Sequence, residues 1–423
     1  MQIVELKVEG FRTLKNVSWQ PGNLNIVIGP NASGKSNLLK LLHLINKLSQ
    51  GNLEDTINLS GGMASVLWNG QSRQINIRVQ LGKETRDSNY TVNYTLRLSR
   101  VGNSSSYVVD IELMEYEEKI DANVEKNFPR LVTRSLLERR EKNFSVRTED
   151  TTEEMDLELF DASETLLSQL KSFPRKARYI TVFAQTLNQF GVYQEFRRDD
   201  DANVRRSVIS SFEEELDPDG QNLASVLHTV YESDVDFQEN IDRAMTAAFG
   251  NDYKGLAFPP AGSQRVELGL RWKSLSRPQP AAVLSDGTLR FLFLITALSL
   301  PKLPSLICID EPEAGLHPSM LPIIAEYAAN AAERTQIVLT THSVQFLDAF
   351  SEYNPTTTVA QLQDGETKLV TLDGEKLAYW LGKYSLGSLF NSGELENMAK
   401  DALDDESEEQ EARNSNLSDE DAG

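Results

Sequence analysis

The sequence predicts an α/β protein. Three observations favour this fold class. Strand-like apolar runs alternate with helical apolar stripes along most of the chain. A glycine-rich turn lies between a buried strand and an amphipathic helix near residue 30. Two later apolar strands end in acidic or polar residues, near residues 310 and 342.

Hydrophobic periodicity predicts the order of the elements. Apolar residues at 38, 39, 41, 42, 45 and 48 form one face of a helix. The segment 115–175 is highly charged and less regular, and we interpret it as an insertion or lever region between two halves of one core. The predicted strands are 2–8, 24–28, 74–81, 90–98, 106–114, 179–183, 264–272, 305–310 and 336–341. The predicted helices are 35–48, 163–171, 221–232, 235–248, 288–299, 318–332 and 343–350.

The composition excludes several classes of protein. Hydrophobic residues make up 40% and charged residues 25% of the chain, which is ordinary for a soluble globular protein. No apolar run reaches the roughly 18 residues of a membrane span, and the N-terminus alternates like a strand rather than a signal peptide. The single cysteine, Cys308, excludes a disulfide framework, so we expect a cytoplasmic protein. The net charge of -21 argues against binding nucleic acid over the whole surface.

Charged residues are unevenly distributed. Residues 401–423 hold ten acidic residues and one arginine, which predicts a disordered, solubilising tail, with a regulatory or partner-docking tail as the alternative. Basic clusters are interleaved with acids and are interpreted as solvated faces, with contact to a DNA backbone as the alternative. These clusters are Arg130, Arg134, Arg139, Arg140 and Lys142; Lys171, Arg175, Lys176 and Arg178; and Arg197, Arg198, Arg205 and Arg206.

The stretch "LNIVIGPNASGKSN", residues 24–37, has the spacing of a phosphate-binding loop. It follows a buried strand and opens an amphipathic helix, which is the required context. Gly29 and Gly34 permit the turn and a close backbone approach. Backbone N–H groups of residues 31–36 would surround a β-phosphate, Lys35 would reach the β- and γ-phosphates, and Ser36 would hold Mg²⁺.

The stretch "LICIDEPEAGLHP", residues 306–318, is a buried strand that ends in two acids. Asp310 lies where a Mg²⁺-binding acid belongs, and Glu311 can polarise an attacking water. The alternative is a strand end that simply emerges into solvent. The later strand "IVLTTHS", residues 337–343, places His342 where it would hydrogen-bond a γ-phosphate, although a structural histidine is the alternative.

A second anion site is predicted at "LSDGTLRFLF", residues 284–293. Its Ser-Asp-Gly turn precedes an apolar helix, so a hydroxyl and backbone N–H groups meet at a helix N-terminus. The order of the four motifs along the chain resembles that of ABC-type ATPases over most of residues 1–365. Within that class, "VEGFRTLKNVSW" at 8–19, "DEPEAGLHP" and "TTHS" resemble the SMC/RecF/OLD branch.

More closely, four stretches resemble a family of stand-alone bacterial ATPases that are linked with antiphage defence, as in PARIS-type systems. They are "GGMASVLWNG", "LDPDGQNLASVLH", "LSDGTLRFL" and "YSLGSLFNSGEL". The resemblance implies an ABC-type P-loop ATPase head with a mixed sheet, an antiparallel β subdomain and a helical signature subdomain. Its implied parts are an N-terminal lobe at 1–114, a charged insertion with a helical subdomain at 115–262, a C-terminal lobe at 263–400 and the acidic tail at 401–423.

The resemblance also implies residue roles. Asp310 corresponds to the magnesium acid, Glu311 to the catalytic base and His342 to the switch histidine. A magnesium-sensing glutamine should follow a strand at the lobe junction; Gln185 is the candidate, and Gln189 competes with it. The nucleotide-binding residues implied are Arg12, Gly29, Asn31, Ala32, Ser33, Gly34, Lys35, Ser36, Asn37, Ser285 and Gly287.

Two positions depart from the pattern of these families. Asp286 stands where the signature motif of transporters usually has glycine. His317 stands where many relatives have an aspartate that communicates across the dimer, which puts that role in doubt.

The implied activity is Mg²⁺-dependent ATP hydrolysis in a head-to-tail homodimer with composite ATP sites, and a higher oligomer is left open. The dimer would control a partner effector or a DNA transaction, in antiphage defence or DNA repair. The implied partner is a separate effector, with a Toprim-like nuclease as the candidate; DNA contact is left open and no membrane is involved. About 80 residues follow His342, fewer than a typical nuclease domain plus tail, so no nuclease site is expected in this chain. The alternative function is a slow-turnover, ATP-gated scaffold that sequesters an effector.

Overall fold

The computed structural model describes residues 1–70, 72–85, 88–120, 130–140, 143–147, 152–156, 160–170, 178–199, 201–262 and 264–404. Its contacts divide the chain into two compact units. Unit 1 comprises Met1–Asn188 and Asn354–Gly423, and unit 2 comprises Gln189–Tyr353. Most of the predicted acidic tail, residues 405–423, lies outside the described residues, and residues 394–404 are helical. The lobe boundaries expected at residues 114 and 262 stay predictions.

The elements confirm an α/β protein. The strands are β1 (Gln2–Phe11), β2 (Leu14–Trp19), β3 (Leu24–Ile28), β4 (Gln74–Thr85), β5 (Ser88–Arg100), β6 (Tyr107–Ile120), β7 (Arg130–Arg140), β8 (Asn143–Arg147), β9 (Thr152–Asp156), β10 (Phe190–Tyr193), β11 (Val208–Ile209), β12 (Tyr253–Ala257), β13 (Arg265–Val266), β14 (Gly269–Trp272), β15 (Gln279–Pro280), β16 (Leu306–Asp310), β17 (Gln336–Thr341), β18 (Thr356–Gln363) and β19 (Glu366–Thr371). The helices are α1 (Lys35–Leu48), α2 (Leu53–Leu59), α3 (Met63–Val66), α4 (Leu166–Gln169), α5 (Arg178–Asn188), α6 (Leu223–Ser233), α7 (Val235–Phe249), α8 (Asp286–Ser299), α9 (Leu321–Ala332), α10 (Val344–Asp348), α11 (Gly374–Leu381) and α12 (Leu386–Asn391).

Unit 1 contains an eight-stranded antiparallel sheet in the order β2-β1-β4-β5-β6-β7-β8-β9. Its inner face follows the two-residue period of strands. Alternate residues of β4, from Ile75 to Leu81, and of β5, from Val92 to Leu98, are buried. This sheet is the antiparallel β subdomain that the family resemblance implies.

The charged segment 115–175 differs from its prediction as an irregular insertion. Residues 115–120 continue β6, and β7, β8 and β9 add three further paired strands. Two inward positions hold charges, because Glu112 and Arg139 are both buried. The guanidinium of Arg139 donates to the carbonyls of Glu164 and Ala162 at 3.1 and 3.4 Å. A charged residue at an inward position, such as Arg139 in β7, interrupts the alternation of apolar and polar residues. Hydrophobic periodicity therefore did not predict this strand.

Unit 1 also places β3 beside β18 in parallel, and β18 beside β19 in antiparallel, which makes this group mixed. The fully buried strand β3 leads through residues 29–34 into α1. The predicted stripe of α1 is confirmed, since its six apolar positions are all buried. The strand and helix therefore hold both ends of the glycine-rich loop.

Unit 2 contains the parallel strands β10, β16 and β17 in that order. Helix α8 is buried at almost every position, from Thr288 to Leu298, so it belongs to the core of this unit. The strand predicted at 264–272 forms as two short strands, β13 and β14. None of the helices in the described part of the chain is long and apolar enough to cross a membrane.

The strand predicted at 179–183 is wrong, because Arg178–Asn188 forms helix α5. The segment "YITVFA" is rich in β-branched and aromatic residues, and such residues favour a strand. The buried residues Ile180, Phe183, Ala184 and Leu187 nevertheless follow a helical spacing of three and four. Packing of this face decided the structure against local propensity.

Candidate functional site

The glycine-rich loop of unit 1 has the conformation that its glycines permit. Gly34 has φ +99° and begins α1 as its N-cap. A β-carbon at Gly34 would lie 2.0 Å from Thr367 Oγ1, so a larger residue cannot fit without displacing β19. Ala32 also has a positive φ, +65°, which is uncommon for a residue with a side chain. The loop therefore adopts a backbone conformation that costs free energy.

Lys35 lies within this loop and is only 5% exposed. Its Nζ donates to the carbonyls of Gly29 at 2.7 Å and Pro30 at 3.0 Å. Ser36, the next residue of α1, is exposed. These two acceptors are neutral carbonyls, and anionic phosphate oxygens would form stronger hydrogen bonds with the same ammonium.

Two threonines that the sequence analysis missed support the loop. Thr367 Oγ1 lies 3.0 Å from the carbonyl oxygen of Ser33 and 2.7 Å from Thr13 Oγ1. Asn37 Nδ2 donates to Thr13 Oγ1 at 2.8 Å. Thr367 is more than 330 residues away from the loop in sequence, and no local pattern points to it.

A cavity of about 620 Å³ in unit 1 borders the start of α1. Arg12 adopts φ +47°, and its backbone N–H donates to the carbonyl of Val66 at 2.9 Å. Burial lowers the pKa of Arg12, and its Nε has no hydrogen-bond partner among the described residues. The structure thus brings Arg12 and Asn37, both predicted nucleotide-binding residues, to one cavity. The residues that line it include Arg12, Thr13, Asn37, Trp68, Asn69 and Asp364.

In unit 2, Asp310 ends the buried strand β16 and Thr340 lies opposite it on β17. The hydroxyl of Thr340 donates to the carboxylate of Asp310. This hydrogen bond orients the carboxylate at the carboxyl edge of two parallel strands, where ligands of α/β proteins usually bind.

Glu311 has φ +44°, an unusual conformation for a residue with a long side chain. Its N–H donates to Thr340 O at 3.2 Å, and its carbonyl accepts from Arg290 Nη2 at 2.7 Å. The side chain contacts His342, with 2.9 Å between Oε1 and Nδ1. The structure therefore brings together two residues that the sequence analysis selected separately, the carboxylate of Glu311 and the imidazole of His342.

Glu313 is a half-buried acid that the sequence analysis did not select. One carboxylate oxygen accepts from the hydroxyl of Thr341, the residue before His342. The other oxygen has no partner among the described residues. Burial raises the pKa of Glu313, and the nearby charge of Glu311 raises it further. Thr341 Oγ1 also accepts from the N–H of Ser343 at 2.9 Å, so Glu313 supports the turn that carries His342.

The Ser-Asp-Gly turn begins α8 as predicted. Ser285 is the N-cap, and its Oγ accepts from the N–H of Thr288 at 3.1 Å. Gly287 lies close to the loop that follows β16, because a β-carbon there would be 2.8 Å from the carbonyl oxygen of Gly315. His317 begins the next turn, where its Nδ1 accepts from the N–H of Ser319 at 3.3 Å. This capping contact is a structural role for His317.

Gln185 lies within helix α5, so it does not follow a strand, which was the reason for selecting it. Gln194, in contrast, directly follows strand β10. Tyr193 pairs with Ile309, which places Gln194 at the same sheet edge as Asp310. Gln194 Nε2 is buried without a partner among the described residues. The signal in the sequence was "FGVYQ", a short apolar run followed by glutamine.

The predicted residues are thus distributed over both units. Unit 1 carries Arg12, Gln185 and the loop residues Gly29, Asn31, Ala32, Ser33, Gly34, Lys35, Ser36 and Asn37. Unit 2 carries Ser285, Gly287, Asp310, Glu311 and His342.

The structure is similar to SMC head domains. The SMC head bound to the C-terminal winged-helix domain of ScpA has a TM-score of 0.51 and 12% identity, with 90% of this chain and 100% of that chain covered. This similarity shows that the chain has the fold of an SMC head domain. The SMC head from Pyrococcus furiosus bound to the C-terminal domain of ScpA scores 0.49 at 12% identity and covers 90% and 99% of the two chains. The Thermotoga maritima head domain scores 0.41 at 12% identity and covers 88% and 100%.

No curated protein sequence matches the chain. One protein family matches residues 24–348, which is more than half of the chain and includes the glycine-rich loop, the Ser-Asp-Gly turn and the acidic strand end. The chain belongs to this family, which is described as "AAA domain, putative AbiEii toxin, Type IV TA system".

Proposed function

We propose that the chain is a Mg²⁺-dependent ATPase that converts ATP and water to ADP and phosphate. The observation that carries this proposal is the 2.9 Å contact between Glu311 and His342 beside Asp310. A carboxylate that is held by a histidine at the edge of parallel strands is suited to act as a general base. The phosphate-loop geometry around Lys35 supports nucleotide binding by the same chain.

Glu311 would take a proton from the attacking water. The water oxygen then bonds to the γ-phosphorus while the bond to the bridging oxygen of ADP breaks. We propose that His342, which contacts Glu311 through Nδ1, hydrogen-bonds the γ-phosphate through Nε2, so that His342 links the phosphate to the orientation of Glu311.

Ser36 and Asp310 stay the predicted magnesium ligands. Mg²⁺ usually takes one or two protein oxygens and completes its shell with phosphate oxygens and water. A hydroxyl and a carboxylate are donors of that kind. In the part of the chain that the structure describes, no three His, Cys, Asp or Glu side chains could hold a metal together; a nucleotide-bound ion needs fewer protein ligands. When bound, the ion would neutralise charge on the phosphate oxygens.

Steady-state phosphate release tests the proposal directly. We expect release that requires both ATP and Mg²⁺ and stops in EDTA. Tight ATP binding with no release above background would reject the hydrolase and favour the ATP-gated scaffold. The same assay with duplex DNA tests the DNA contact, since stimulation would make DNA a partner.

We expect Trp68→Ala to weaken ATP binding about tenfold. Trp68 lines the cavity that Asn37 borders, so a nucleoside attached to phosphates in the loop would contact its indole. Loss of a base–aromatic contact costs about 1–3 kcal/mol. Titration of fluorescent ATP into the full chain measures the change. Trp380→Ala is the matched control, because Trp380 lies in α11 away from that cavity; equal affinities for the two variants would contradict this assignment.

We propose that two chains pack head to tail, so that Ser285 and the N-terminus of α8 meet the γ-phosphate held by the loop of the partner chain. Helix N-termini attract anions through unpaired N–H groups and the helix dipole. The γ-phosphate itself would then join the protomers, and its release would separate them.

Mixing two inactive variants tests this arrangement. Lys35→Ala and Ser285→Arg should each be inactive alone, while a mixed dimer has one composite site with both motifs intact. Random pairing makes about half of the dimers mixed, so roughly a quarter of wild-type activity should return under two-fold symmetry. Activity that never exceeds the sum of the separate variants would reject the shared site. Ser285→Arg alone should still bind ATP as a monomer.

We propose further that the ATP-bound dimer controls a separate effector protein in antiphage defence. The family description, which refers to a toxin–antitoxin system, supports a defence role. The similar SMC head binds another protein, ScpA, through its ATPase head, which supports effector docking on a head of this fold.

A further inference from the structure

The turn that precedes α8 is held by one arginine side chain, Arg205. Its side chain is only 10% exposed. Its Nη1 donates to the carbonyls of Leu284 at 2.9 Å and of Ala281 and Ala282 at 3.3 Å. Its Nε donates to the carbonyl of Arg198 at 2.9 Å. The guanidinium therefore satisfies the backbone of the residues immediately before Ser285.

The same guanidinium also contacts the residue after Ser285. Its Nη2 donates to the carboxylate of Asp286. Asp286 also lies near Arg198, with 3.5 Å between Arg198 Nε and the second carboxylate oxygen. Arg205 thus holds the turn from both sides, and Ser285 lies between its contacts.

The charge of Asp286 makes this contact important for the proposed function. Asp286 is in the first turn of α8 and its side chain is 57% exposed, so its negative charge faces any anion that approaches Ser285. An uncompensated carboxylate would repel a phosphate there. Two arginines around one carboxylate leave a net positive charge beside the turn instead.

We propose that Arg205 is a positioning residue for the γ-phosphate of the partner's ATP. It fixes the carbonyls before Ser285 and cancels the charge of Asp286, so that the hydroxyl and the helix N-terminus accept an anion. This inference rests on the proposed function, because it assumes that Ser285 meets the nucleotide of the partner chain. Arginine is required at this position, because a lysine has no planar fork to reach carbonyls and carboxylate together.

The test uses Arg205→Gln in the full chain, with Arg206→Gln as the matched control. Arg206 is the next arginine, is 55% exposed and pairs with Asp201 rather than with the turn. For Arg205→Gln we expect kcat to fall about a hundredfold, the loss that a displacement of about 1 Å can cause. ATP-induced dimerisation, measured by light scattering, should be lost, and ATP affinity of the monomer should stay within about threefold. Arg206→Gln should keep all three properties.

A second variant separates charge from folding. Asp286→Asn added to Arg205→Gln should restore part of the dimerisation and of kcat, because it removes the uncompensated charge; a defect in folding alone would not be rescued. If Arg205→Gln unfolds at the assay temperature, Arg205→Lys replaces it, with a loss of at least tenfold in kcat expected.

Two results would overturn the inference: Arg205→Gln that dimerises and hydrolyses ATP like Arg206→Gln, or a double variant no better than Arg205→Gln. Failure of wild-type protein to dimerise or hydrolyse with ATP would instead reject the proposed function.

Discussion

Lys35→Ala is expected to raise the dissociation constant for ATP by at least a hundredfold. Lys35 is buried at the start of α1, and its ammonium donates to the carbonyls of Gly29 and Pro30. Phosphate oxygens would replace them with charge-assisted hydrogen bonds, each worth about 1.5–3 kcal/mol. Loss of two such bonds corresponds to roughly two to four powers of ten in affinity. Calorimetric titration of the full chain with ATP measures it.

Lys40→Ala is the control for this prediction. Lys40 belongs to the same helix, α1, but its side chain is exposed on the opposite side from the buried stripe. It should bind ATP like the wild type. Since Lys35 also bonds the loop, thermal unfolding of both variants shows whether Lys35→Ala remains folded. A folded Lys35→Ala protein with wild-type affinity would show that the loop does not bind the phosphates.

Glu311→Gln is expected to keep ATP binding and to lose turnover by about 10²–10⁴-fold, the usual contribution of a general base. Glutamine keeps the shape of the side chain and its hydrogen bond with His342, but it cannot accept a proton from water. The unhydrolysed γ-phosphate should then trap the closed dimer. Single-turnover phosphate release measures the chemical step, and light scattering in ATP measures the dimer.

Glu333→Gln is the matched control for Glu311→Gln, because Glu333 is exposed and directly follows α9. It should hydrolyse ATP at the wild-type rate. If Glu311→Gln also did so, Glu311 would not be the base, and Glu313, the half-buried acid that supports the turn of His342, would be the next residue to test.

Local signals in the sequence were strong around the site. The helix after the glycine-rich loop, the buried strand that ends at Asp310 and the strand that ends at Thr341 all form at the predicted positions. The length of these elements, the period of their apolar residues and their flanking glycines are set by residues that are close in sequence. These elements can therefore be predicted from one sequence. The assignment of roles to Lys35, Glu311 and His342 rests on the order of these motifs and stays a prediction.

Other features depended on distant residues. Gln185 was selected because the residues before it have the composition of a strand. That segment instead forms helix α5 and buries one face of it. Gln194 is the residue that directly follows strand β10. The charged region after residue 115 forms paired strands because neighbouring strands satisfy its backbone hydrogen bonds, although its buried Arg139 hides the apolar period.

The sequence by itself determined the α/β class, the glycine-rich loop, the apolar stripe of α1 and the acidic end of β16, because each depends on neighbours within one element. Only the tertiary structure decided two other roles. Thr367 supports the loop, and Arg205, which the sequence predicts on a solvated face, is only 10% exposed and holds the turn around Ser285. Burial is the physical reason for these roles. A charged or polar side chain that is removed from water must find partners, and those partners come from whichever segment folding brings close.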